Sequence, residues 1–148
     1  MEESRGRRPS AFVVEVPSHP HAIEAAVGYL AARARQYGFS GSRLDLNFRV
    51  GVSEALANAV HYGNRGDPRR LVHVDVHLDE IRVALTVTDQ GAGFDPETVP
   101  DPTLPENLER PGGRGIFLLR KLMDQVEFNS RGNQVRLVLF RRGLRLTG

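Results

Sequence analysis

The sequence predicts an α/β (α+β) two-layer sandwich: a mixed, mostly antiparallel sheet with helices on one face. Two observations carry that expectation. Leu71–Leu78 and Ile81–Thr88 alternate apolar and polar residues with period two across the short turn Asp79-Glu80, as an antiparallel hairpin buried on one side does. Before the hairpin, residues 20–37 and 42–64 carry apolar residues at helical spacing, and after it a short helix and two more strand-like runs follow.

Taken in order, residues 1–10 are charged and turn-rich and predict a flexible tail. Ala11–Val16 reads as a strand ended by Pro17. In the next segment Ile23, Ala26, Val27, Leu30, Ala31 and Ala34 recur on one helical face, with Pro20 suited to the first turn and Gly38 to the stop. Ser42, with Asp45 three residues on, predicts an N-cap close to a capping box. The helix it opens runs to Tyr62-Gly63-Asn64, with Leu46, Val50, Leu56 and Val60 expected on its buried side.

Arg65–Pro68 is a turn, and the hairpin then runs straight into Asp89. Residues 95–112 contain Pro96, Pro100, Pro102, Pro105 and Pro111 and show no periodicity. An irregular segment of that length inside a compact domain is expected to be a lid or binding loop. It closes on Gly112-Gly113-Arg114-Gly115, immediately before an apolar helix at Ile116–Met123. Val126–Phe128 and Gln134–Phe140 predict two strands joined by a turn at Arg131-Gly132-Asn133. The domain is therefore expected to span 11–141, with 142–148 as a short C-terminal tail.

At 148 residues the chain suits one domain, and 40% apolar with 26% charged residues is the balance of a globular protein rather than a disordered one. No apolar run approaches the roughly 18–20 residues of a membrane span, and the N-terminus has no signal-peptide core. There is no cysteine, so disulfides and thiolate metal sites are excluded and the cytoplasm is the expected compartment. The net charge is only +2, and the arginines form no continuous stripe with interleaved aromatics, which argues against direct nucleic-acid binding. His73, Asp75 and His77 share a strand face, but nothing nearby offers further ligands, so they read as an exposed polar face rather than a metal site.

Three stretches carry chemistry. Glu54 and Asn58 are four residues apart and stack on one helix face. A carboxamide oxygen is a hard ligand for Mg²⁺ and a carboxylate accepts a proton. Asp89, at a strand end and followed by Gly91 and Gly93, is placed to accept a hydrogen bond from an exocyclic amine such as that of adenine. Gly113, Arg114 and Gly115 open a helix, where backbone N–H groups and glycines admit a phosphate. Each alone has a plain alternative: a solvated polar pair, a turn needing positive φ, a hinge. In this order on these elements, they suggest a purine at Asp89, phosphates at Gly113–Gly115 and Mg²⁺ at Asn58.

With these residues in view, the chain resembles a GHKL-type (Bergerat-fold) ATPase domain, the superfamily of gyrase, sensor histidine kinases and a heat-shock chaperone. Glu54–Asn64 resembles the N box, Asp89–Phe94 the first glycine box and Gly113–Gly115 the second, and the likeness covers about Phe12 to Phe140. The wording is nearest to anti-sigma-factor serine kinases: Ser-Glu-Ala-x-x-Asn-Ala, Asp-x-Gly-x-Gly-Phe-Asp-Pro and Gly-Arg-Gly-x-x-Leu-x-x-Lys-Leu-Met-Asp. The resemblance implies ATP and Mg²⁺ as cofactors and Glu54 as general base toward a partner's serine. Asn58 would be the Mg²⁺ ligand and Asp89 the adenine reader, with Gly91 and Gly93 shaping its pocket. Arg114, with Arg110 as a further candidate, would meet the phosphates. The partners implied are an anti-anti-sigma (STAS) protein and an RNA polymerase sigma factor, with homodimerisation plausible.

The chain departs from the pattern at His61-Tyr62-Gly63-Asn64, where histidine comes one residue early, so His61 is given no catalytic role. The proline-rich segment is also one residue longer near Arg110. The expected function is a protein-serine kinase that sequesters a sigma factor and phosphorylates its anti-anti-sigma protein. The alternative is a nucleotide-gated binding module without turnover. A sensor histidine kinase is disfavoured, because little chain precedes the domain to supply a phosphoacceptor helix pair.

Overall fold

Alternating apolar residues are buried together only when strands align them in rows, and the register of this sheet does so. In the computed structural model, which describes residues 7–91 and 113–142 (the backbone alone at 113 and 114), five strands form one sheet. They are β1 (Ser10–Pro17), β2 (Leu71–Leu78), β3 (Arg82–Thr88), β4 (Gln125–Phe128) and β5 (Gln134–Phe140), in the order β1-β2-β3-β5-β4. Every neighbouring pair is antiparallel, and one continuous row reads Phe12, Val76, Leu85, Leu137, Val126 across the sheet. The next residue of each strand gives the opposite face: Val13, Asp75, Thr86, Arg136, Glu127. Fully burying an aliphatic side chain of this kind stabilises by about 1.5–3 kcal/mol, so a one-residue slip of any central strand is strongly disfavoured. His73 lies on the polar face between Glu15 and Asp75, and no cluster of metal-ligating side chains occurs among the described residues.

Helix α1 (Pro20–Gln36) buries Ala26, Val27, Leu30, Ala31 and Ala34. It begins with Pro20 after the extended residue His19, whose ring accepts the His21 N–H. It ends as expected at Gly38, which takes φ +95° while the N–H groups of Gly38 and Phe39 bond to the carbonyls of Arg35 and Ala34.

The central helix is a single rod. Its middle, α2 (Arg49–Ala57), is continuous with wider π-helical turns at Arg43–Phe48 and Asn58–Gly63. Its buried row is Leu44, Phe48, Val52, Leu56 and Val60, spaced every four residues. A strict four-residue spacing drifts around a helix of 3.6 residues per turn, and π turns, which hold more residues each, take up that drift.

Two expectations fail here. Leu46 is 51% exposed and Val50 only partly buried, because both lie two residues out of phase with that row. Ser42 forms no capping bond, because its backbone is already helical (φ −68°, ψ −24°), whereas a capping residue must stand outside the helical region.

Helix α3 (Gly113–Leu122) follows β3 in the described structure and packs along the rod. It starts at Gly113 rather than Ile116, so the glycines expected before the helix form its first turn. β3 and β4 run in the same direction with β5 between them, an arrangement that needs a crossover, and α3 lies on that connection. No helix among the described residues is long and apolar enough to cross a membrane. Gly93, Arg110 and the expected lid at 95–112 lie outside the described residues, as do residues 143–148.

Candidate active site

Glu54 begins the last α-turn of α2 and Asn58 opens the π turn after it. Both side chains converge on the same spot of α3, the Cα of Gly115. A Cβ there would stand 3.0 Å from Glu54 Oε1 and 2.8 Å from Asn58 Nδ2. Glycine is the residue that lets the first turn of α3 approach the carboxylate and carboxamide this closely. Within the described residues no hydrogen bond engages the side chain of either Glu54 or Asn58, and both are partly exposed. The pair is thus assembled beside the N–H-rich start of a helix, with its polar atoms uncommitted.

Asp89 follows β3 and meets the far end of the same rod. Its carboxylate lies directly on the Cα of Gly63, and the Cα of Gly91 backs onto the Gly63 carbonyl, closer in both cases than any Cβ permits. Neither Gly63 nor Gly91 has a positive φ, so close approach rather than turn geometry is what requires glycine there. Asp89 Oδ1 accepts the Gly91 N–H at 2.8 Å, and the Asp89 N–H donates to the Asn133 carbonyl at 2.9 Å. Burial pushes the Asp89 carboxyl above the usual carboxylate range, partly offset by the Gly91 N–H and the charges of Arg131 and Arg70. A desolvated carboxylate with an acceptor lone pair to spare is suited to receiving N–H donors from a flat heterocycle.

Asn64 holds this end together. It is completely buried; its Oδ1 accepts the Gln90 N–H at 2.7 Å, and its Nδ2 donates to Ser18 Oγ at 3.0 Å and the Leu71 carbonyl at 3.1 Å. Ser18 Oγ in turn donates to the Arg70 carbonyl, and the Leu71 N–H donates to Gln90 Oε1. The end of the rod, the start of β2 and the exit of β3 are therefore one hydrogen-bonded unit.

The structure brings Glu54, Asn58 and Gly115 into one group and Asp89 and Gly91 into a second, both strung on the same helical rod. Gly113 and Arg114 lie in the first turn of α3 beside the first group. Gly63 and Asn64 were read from the sequence only as a helix stop. The spatial neighbours that give them their roles, Asp89, Gln90 and Ser18, are distant in the chain. Asn58 is the only uncommitted hard-ligand amide in the first group, beside one carboxylate. That donor set fits Mg²⁺ completed by phosphate oxygens better than an all-protein cage.

The histidine kinase-like ATPase domain family matches residues 16–139. The chain is 30% identical over 123 residues to the serine-protein kinase RsbW of Oceanobacillus iheyensis, covering 79% of this chain and 77% of that one. It is 31% identical over 122 residues to the protein of the same name from Listeria innocua, covering 78% and 77%. With the anti-sigma F factor of Bacillus cytotoxicus it shares 39% identity over 82 residues, 53% of this chain and 56% of that relative. Among solved structures, the fold is similar to the crystal structure of the RsbU and RsbW domains of a Mycobacterium tuberculosis protein. The TM-score is 0.61 with 16% identity, and the match covers 93% of this chain but about a third (33%) of that longer one. At that identity the likeness speaks for the fold.

Proposed function

This chain belongs to the histidine kinase-like ATPase domain family, and from that premise we propose that it is an ATP-dependent protein-serine kinase and anti-sigma factor. It phosphorylates an anti-anti-sigma protein of the STAS type and sequesters an RNA polymerase sigma factor, acting in the cytoplasm. The observation that carries the reading is the seat of Gly115 on Glu54 and Asn58. It joins a free carboxylate, a hard amide ligand and a helix N-terminus into one group. Support comes also from relatives of comparable length named serine-protein kinase and from one named anti-sigma factor.

In this reading Asp89 accepts a hydrogen bond from the adenine amino group, with Gly91 and Gly93 shaping its pocket. The N–H groups of Gly113–Gly115 and the Arg114 guanidinium receive the phosphates. Asn58 would hold Mg²⁺, which would neutralise phosphate charge when bound. Glu54 accepts the proton of the partner's serine hydroxyl as its Oγ bonds to the γ-phosphorus. The bond from that phosphorus to the bridging oxygen breaks and ADP leaves. Phosphoryl transfer asks chiefly for positioning and charge stabilisation, which this small residue set supplies.

The test is intact-mass spectrometry of an anti-anti-sigma partner incubated with the protein and MgATP. A phosphate-sized gain on the partner, lost in Glu54→Gln and in Asn58→Ala, is the expected result. A partner that binds but gains no phosphate, with ATP binding shown separately, would replace the kinase by a nucleotide-gated module. Absence of ATP binding would overturn the assignment of the site itself.

A further inference from the structure

The rod presents a second stripe besides its buried row: Arg43, Asn47, Gly51, Glu54 and Asn58, spaced four, four, three and four residues apart along one face. The two helices lie antiparallel, so this stripe meets α3 from its C-terminal end to its N-terminal end. Arg43 bonds to Asp124 Oδ2 at 2.5 Å and to the Phe140 carbonyl at 2.7 Å, and the same Asp124 oxygen accepts the Phe140 N–H at 2.7 Å. Asn47 Nδ2 donates to the Leu122 carbonyl at 2.7 Å, one of the end carbonyls that α3 cannot satisfy internally. Gly51 leaves room for Met123, whose Sδ would stand 2.8 Å from a Cβ at that position. Glu54 and Asn58 complete the stripe against Gly115.

We propose that Arg43 and Asn47 are positioning residues that set the axial register of α3, and through it the placement of its phosphate-receiving first turn over Glu54 and Asn58. This inference rests on the nucleotide-binding reading above. Apolar contacts between two helices are non-directional and tolerate sliding. The directional bonds at the C-terminal end of α3 do not. A helix of this length spans about 15 Å and moves as a unit, so a slip where Asn47 holds Leu122 reappears at Gly115. Arg43 and Asn47 stand at the opposite end of the rod from Gly63, on which the Asp89 carboxylate rests, so the proposed adenine end is independent of them.

That independence makes the experiment selective. Binding of adenosine and of MgATP is measured by calorimetry on the full chain, with partner phosphorylation followed in parallel. Asn47→Leu is expected to weaken ATP about tenfold, leave adenosine within about twofold, and lower the transfer rate about a hundredfold, the scale of a 1 Å misplacement. Asn47→Gln, which keeps a donor, is expected to recover part of the ATP affinity. Arg43→Lys keeps the charge toward Asp124 but gives up bonds to Phe140, and carries the same expectation should Asn47→Leu not fold. Equal losses for ATP and adenosine would mark a merely structural role and overturn the inference, as would unchanged ATP binding and transfer. A wild-type protein that binds neither nucleotide would overturn the nucleotide-binding reading and this inference together, whereas wild-type binding with unaffected variants would reject this inference alone.

Discussion

At one end of the site Asp89 sits in a mesh: its Oδ1 accepts the Gly91 N–H, its N–H bonds to Asn133, and the fully buried Asn64 ties its neighbour Gln90 to Ser18 and Leu71. At the other end the side chains of Glu54 and Asn58 take no hydrogen bond from the described residues and meet α3 at Gly115. The two ends share one helical rod and differ in what holds them. As the proposed reader of an unreacting adenine, Asp89 would do the same task before and after phosphoryl transfer, so rigidity would cost it nothing. In the proposed reaction Glu54 would take up a proton and Asn58 would hold the metal, and both side chains are free of hydrogen bonds to the described residues. On the proposed reading, binding belongs to the Asp89 end and chemistry to the Glu54 end.

Substitutions test that division, and the largest effect belongs to the phosphate end. Glu54→Gln should lower the transfer rate by about 10²–10⁴, the usual contribution of a positioned base, while ATP affinity and melting temperature stay near wild type. A matching loss of ATP affinity would break the comparison, because the base would then be part of binding.

The glycines come next. Gly91→Ala drives a methyl group into the Gly63 carbonyl, and Gly63→Ala drives one into the Asp89 carboxylate. Each should destabilise by about 1–3 kcal/mol, as overpacking against the backbone or a hydrogen-bonded carboxylate does, and weaken ATP binding along with stability. In Gly115→Ala the new methyl meets the tips of Glu54 and Asn58, which can swing away. Its stability cost should fall under about 1 kcal/mol, yet transfer should drop. Denaturant melts paired with the phosphorylation assay separate the two patterns.

Asn64→Ala should cost about 1–3 kcal/mol, since it removes a fully buried amide and strands the part-buried Gln90 N–H and Leu71 carbonyl. Urea unfolding of the nucleotide-free protein measures it. A neutral result would show that the mesh is not what fixes the adenine end.

The smallest effect is a pH dependence. The Asp89 carboxyl is raised by burial, so the folded state binds its proton more tightly than the unfolded chain does. Its favourable contribution is fully present below the ordinary carboxylate range and is lost as pH rises through its raised pKa. Asp89→Asn should therefore raise the melting temperature of the nucleotide-free protein at neutral pH, with the gain vanishing in acid, while abolishing adenine recognition. A melting curve for Asp89→Asn that parallels wild type at all pH values would mean the carboxylate is not desolvated in solution.

Much of this was legible in the sequence because it is local. Period-two alternation marks β2 and β3, and the apolar spacing with Pro20 and Gly38 bounds α1. Glu54, Asn58, Asp89 and the Gly113–Gly115 run stand out because their residue types sit on recognisable elements. Where local reasoning failed, it failed in phase. Leu46 reads as part of the buried side in the sequence, whereas the rod keeps a four-residue row from Leu44 to Val60 with a π turn at Arg43–Phe48. Ser42 looks like a cap in the sequence, but the chain is already helical when it reaches it.

What the sequence determined by itself, then, is the set of elements and the chemical inventory, since periodicity and turn chemistry depend on near neighbours along the chain. The tertiary structure decided the rest. It placed β5 between β3 and β4, made Gly63 the floor beneath Asp89, and turned Asn64 and Asn47 from ordinary polar residues into tethers. Each of those roles is a contact between residues far apart in the chain, such as Asn47 with Leu122 or Glu54 with Gly115. Whether a glycine is a turn or a seat depends on what the fold brings against it, and no local pattern carries that information.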